Sequence, residues 1–88
     1  MGCEKIYAVM MDMLHKAGYF NALEGWEKEF PDIAGQEFPE VGKELLHRQQ
    51  EIVKRAVYSD RQPNAESEQF VRWVYFLLEE AVMRKRKE

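Results

Sequence analysis

Residues 70–83 read FVRWVYFLLEEAVM, from Phe70 to Met83, and this stretch decides the fold class. Advanced by about 100° per residue, Phe70, Val74, Leu77, Leu78 and Ala81 gather on one side of a helix, with Val71 and Trp73 on the flanks. Apolar residues that recur at helical rather than alternating spacing predict a helix with a core face. Phe76 and Met83 fall on the other side, near Arg72 and Glu80, while Tyr75 and Val82 sit at the opposite margin. A helix apolar on more than one side is either central in its domain or shared with another chain.

This fourth helix is expected to open at Asn64, a capping residue, with Glu66 and Glu68 in the first turn, and to end near Lys85. Acids at its start and bases at its end complement the helix dipole. Before it, Ser59 to Pro63 is a polar break. A third helix is expected from Pro39, a favoured first-turn residue, to about Tyr58. Val41, Leu45, Ile52 and Ala56 share one side of it, widened by Leu46, Val53 and Val57, and Gly42 weakens its first turn.

Residues 31–38, holding Pro31 and Gly35, are expected to connect, with one helical turn after Asp32 and with Ile33 and Phe38 tucked into the core. A second helix is expected from about Ala22 to Phe30, capped by Asn21 with Glu24 as a capping-box partner and stopped by Pro31. A first helix runs from about Cys3 to Ala17, with Ile6, Met10, Met13, Leu14 and Ala17 on one face and Gly18 as its left-handed terminator. The fold class expected is all-α: a compact bundle of about four helices, three long and one short, with antiparallel neighbours, forming a single helical domain over residues 1–88.

Composition narrows the function classes. Hydrophobic residues make up 45% of the 88, including five Phe, four Tyr and two Trp, which is enough for a core and argues against disorder. Cys3 is the only cysteine, so no intrachain disulfide can form; a reducing, cytoplasmic location is expected. Glu4 and Asp12 interrupt the opening apolar stretch, so no secretory signal is read there, and no run is long enough to span a bilayer. Met1-Gly2-Cys3 resembles an acylation start, but Ile6 stands where the myristoylation pattern needs Ser or Thr.

The net charge of −3 is unevenly spread. Glu24, Glu27, Glu29, Asp32, Glu37 and Glu40 face one base, Lys28, whereas Arg84-Lys85-Arg86-Lys87 closes the chain. The acidic middle suits a basic partner or is simply a solvated face. The basic end suits phosphate backbones or the helix dipole, and the acidic chain as a whole argues against nucleic acid. A helix-turn-helix over residues 32–49 would begin its recognition helix with Pro39-Glu40-Val41-Gly42, a poor start for DNA.

Asp12 to His15 and Glu44 to His47 repeat the carboxylate-then-histidine spacing of bundle metal sites. Their phase points them away from the apolar faces, so surface residues are expected, and no cofactor or metal. No phosphate loop, triad pattern or activated thiol is present, and Cys3 is expected at a frayed terminus. In size, acidity and helical punctuation the chain resembles the small four-helix immunity proteins of nuclease bacteriocins and small phage-encoded inhibitors. That resemblance is architectural, with no shared motif, and transfers no binding residue.

The function expected is that of a small non-enzymatic interaction module of the inhibitor, immunity or adaptor type. Its partner is a protein or a second copy in a homodimer, with no membrane and no small-molecule substrate in evidence. Tyr75, Phe76 and Met83 are its expected anchors, with Glu24, Glu27 and Asp32 as the acidic surface. The alternatives are a DNA-associated regulator using the basic tail and a dimeric metal-binding bundle.

Overall fold

The computed structural model describes residues 2–59 and 63–87 and is built from helices alone: α1 (Cys3–Lys16), α2 (Phe30–Glu37), α3 (Lys43–Tyr58) and α4 (Ala65–Lys87). Three are long and one is short. They close on one core, to which α1 gives Ile6, Tyr7, Met10 and Leu14, α2 gives Phe30 and Ala34, and α4 gives Val71, Val74, Leu78 and Ala81. Within the polar break between Ser59 and Pro63, residues 60–62 lie outside the described residues. Asn64 caps α4 as expected: its Oδ1 accepts from Ser67 N at 2.8 Å.

α1 ends as its sequence dictates. Gly18 takes φ +92°, Gly18 N donates to His15 O and Tyr19 N donates to Leu14 O, the paired hydrogen bonds of a Schellman ending. Cys3 departs from expectation. It is 1% exposed and packs into the core instead of fraying.

The second helix is displaced. Residues 21–29 are irregular, and the segment expected to connect, 30–37, is the helix. Pro31 starts α2 in its first turn rather than stopping a helix before it, the position where its missing N–H costs nothing. Gly35 then lets α2 approach the start of α3: a Cβ on it would stand 2.6 Å from the Lys43 backbone. Phe38 is fully buried as expected, but Ile33 is exposed.

α3 begins at Lys43, four residues late, because residues 39–41 form a turn, with Val41 N and Gly42 N both donating to Phe38 O, and Gly42 at φ +89° lies outside helical geometry. Its buried line is Leu46, Gln49, Gln50 and Val53, with Leu45, Ile52 and Ala56 only half-buried, so the core face is rotated from the apolar one read in sequence. On α4 the core centre has likewise turned toward Val71 and Val82, leaving Phe70 and Leu77 partly buried and Trp73 exposed.

Antiparallel packing holds for α2 with α3 and for α3 with α4. Asp32 meets His47 while Gly35 meets Lys43, and Gln49 meets Val71. It does not hold for α1 and α4. Ile6 shares a hollow with Arg72 and Phe76, and Ala17 shares one with Val82 and Arg86, so these two helices run in the same direction. Two of the three connections reverse the chain, α2 to α3 and α3 to α4, so α4 runs in the same direction as α2 and as α1.

Candidate functional site

Parallel packing of α1 and α4 leaves a shallow apolar trough on their outer side. It has two hollows: one of about 410 Å³ bordered by Val9, Met13, Val82 and Met83, and one of about 340 Å³ bordered by Ile6, Val9, Tyr75 and Phe76. Val9 belongs to both. Val9 is 41% exposed, Phe76 50% and Met83 55%, so three apolar side chains of this face remain open to solvent. Trp73, on the far flank of α4, extends the patch.

Each has a local reason for its place. α4 buries Val74, Leu78 and Ala81, and the helix period carries Phe76 and Met83 to the opposite side. Among the described residues no element buries them, so α4 is not central in the fold. Tyr75 lies at the inner edge, half-buried, with its hydroxyl donating to Glu79 Oε2 at 3.2 Å. Burial and the Glu79 charge raise its phenol above the ordinary value. Arg72 with Glu68 and Lys16 with Asp12 form exposed ion pairs one helical turn apart along the rim.

Tyr75, Phe76 and Met83 therefore come together, joined by Val9 and Met13 of α1, which sequence reading did not assign to a site. Met13 lies on the face of α1 that its spacing assigns to the core, and Val9 lies off that face. The acidic residues do not join them. Glu27 folds back on its own loop, its carboxylate accepting from Glu24 N at 2.7 Å and Gly25 N at 2.8 Å, and those backbone bonds hold its pKa below the ordinary value. Asp32 pairs with His47 Nε2, which donates at 2.8 Å across α2 and α3. Glu24 borders a separate hollow with Trp26 and His15 on another side of α1.

That loop is held by a buried polar knot. Gly25 O accepts from Tyr7 Oη at 2.6 Å and from Gln50 Nε2 at 2.8 Å, and Gln50 Nε2 also donates to Glu27 O. Trp26 packs against the Tyr7 ring at 5.4 Å. The other residues considered for chemistry are spent locally. His15 Nε2 donates to Leu23 O, and no group of three metal-ligating side chains occurs among the described residues. Lys85 turns inward to Glu37 at 3.3 Å and over the Phe38 ring, taking one cation out of the basic tail. No described helix is long and apolar enough to cross a membrane.

No known protein family, curated protein or solved structure matches the chain.

Proposed function

We propose that the chain is a non-enzymatic interaction protein, of the inhibitor, immunity or adaptor kind, that engages protein through the α1–α4 face. The observation that carries this reading is the alignment of Val9, Phe76 and Met83, all exposed, along one trough. Contiguous apolar surface of this sort is retained where a partner covers it. Aromatic anchors ringed by charge, as Phe76 is by Arg72 and Glu80, are the usual energetic centre of such contacts. The acidic residues Glu24, Glu27 and Asp32 are not part of the proposed contact.

Site-specific photo-crosslinking in the producing cell tests this. A benzophenone side chain at position 83 or 9 should give discrete crosslinked species. The same probe at Tyr58, 85% exposed and away from the trough, should give none. Phe76→Glu should abolish the position 83 products while the helical circular dichroism stays unchanged. Crosslinking equal at 83 and 58, or absent from both, would sink the reading.

A further inference from the structure

We propose that the occupant of the α1–α4 face is a second copy of this chain, docked antiparallel across a twofold axis beside Phe76. This occupant rests on the docking reading above and goes beyond it by naming the partner. It comes from the order of charges along the exposed side of α4. Glu66 and Arg86 lie ten residues to either side of Phe76, Glu68 and Arg84 eight, and Arg72 and Glu80 four. Residues equidistant from the axis stand level in an antiparallel pair, so these three levels carry opposite charges on the two copies. A parallel pair would set each charge against its own kind.

The flanks decide which of these charges meet, because a twofold axis lying in the interface sets each flank of α4 against the same flank of the second copy. On a wheel advancing by about 100° per residue from Phe76, Glu68, Arg72, Glu79 and Arg86 fall on one flank, and Glu66 and Arg84 on the other. Turned antiparallel about Phe76, Arg72 meets Glu79 of the second copy, Glu68 meets its Arg86, and Glu66 meets its Arg84. Between the flanks the two Phe76 rings meet, and Met83 lies over Gln69 of the second copy. α1 repeats the pattern, since Lys5 and Asp12 straddle Val9. Complementarity of this kind fixes register and orientation more than it adds affinity.

A twofold contact closes on itself and leaves no sticky end. Its size fits a moderate association. At about 1.5 Å rise per residue and about 10 Å width, the outer faces of α1 and α4 offer on the order of 550 Å² per copy. That is at the low end of specific interfaces, so dimerisation belongs at micromolar concentration or above.

The test is sedimentation equilibrium of the full chain from low micromolar to millimolar concentration, with a charge-swap cycle. Wild type should pass from monomer to dimer, and Phe76→Glu should stay monomeric. Arg84→Glu and Glu66→Arg should each weaken the dimer, by about fivefold. The double variant Glu66→Arg with Arg84→Glu should restore it to within about twofold. Within one chain these positions are about 27 Å apart along α4, too far to pair, so rescue reports a contact between copies. A double variant as weak as the singles overturns the antiparallel register. Wild type that remains monomeric throughout overturns self-association. In that case, position 83 crosslinks to a different protein would leave the docking reading standing, and their absence would remove both.

Discussion

Gly25 takes φ +102°, and a Cβ there would stand 2.8 Å from Met11 Sδ; its carbonyl accepts from both Tyr7 and Gln50. Burial is the main reason the Tyr7 phenol is pushed well above its ordinary value of 10.0, with the nearby Glu27 charge adding to it. A phenol whose folded pKa exceeds its unfolded one favours folding fully below the unfolded value, and that contribution disappears as pH rises toward the folded value. Stability should therefore fall from about pH 10 upward. Tyr7→Phe should cost about 1 kcal/mol at neutral pH and flatten that alkaline decline, as read by urea unfolding across pH. The two buried glutamines of α3 should behave differently. Gln50 serves Gly25 O and Glu27 O, whereas Gln49 donates to Val71 O and its own Oε1 has no partner among the described residues. Gln50→Leu should cost about 1–3 kcal/mol and loosen residues 21–29, while Gln49→Leu should stay within about 1 kcal/mol of wild type. Equal costs in denaturant titrations would show that the knot does not hold the loop.

At the scale of elements, α2 depends on a glycine that helix propensity alone would replace. Gly35→Ala should gain about 1 kcal/mol from propensity. The added methyl would meet the Lys43 backbone, which cannot move aside as a side chain tip could, and forced overpacking costs about 1–3 kcal/mol. A net loss of stability is the expected result in thermal unfolding, and a gain would show that α3 can back away. This residue also marks where the sequence was legible. The ending of α1 at Gly18, the Asn64 cap and the two apolar sides of α4 were readable because each rests on local chemistry within one or two turns. The helix expected at 22–30 failed because Gly25 lies inside it and because carbonyls there are claimed by Tyr7 and Gln50, eighteen and twenty-five residues away from Gly25. Pro31 marks a boundary from either side, and only the tertiary partners decide which. The face of α3 was misjudged because Gln49 and Gln50 are core residues that apolar counting passes over. Phe76 and Met83 were legible as a second face, but Val9 was not. It becomes part of the site only when α1 and α4 are known to lie side by side.

For the whole molecule, an 88-residue chain has a small core and a thin stability margin, so anything that covers its outer face should be visible in its melting. Self-association links stability to concentration, since the dimer competes with unfolding and the monomer does not. Once most chains are paired, a hundredfold rise in concentration should add about 1.4 kcal/mol per chain. For a domain of this size that corresponds to about 5–10 °C in Tm. Phe76→Glu should melt at one temperature at every concentration. At high dilution it should match wild type closely, because Phe76 is half exposed and its removal opens no cavity in the core. Raised salt should shrink the concentration dependence by screening the flanking charge pairs, without removing the part due to apolar contact. A wild-type Tm that ignores concentration, together with a Phe76→Glu variant that melts markedly lower, would place Phe76 in the fold rather than at an interface. The reverse pattern, parallel losses of concentration dependence in Phe76→Glu and in Arg84→Glu, would tie the apolar trough and the charge order of α4 to the same contact.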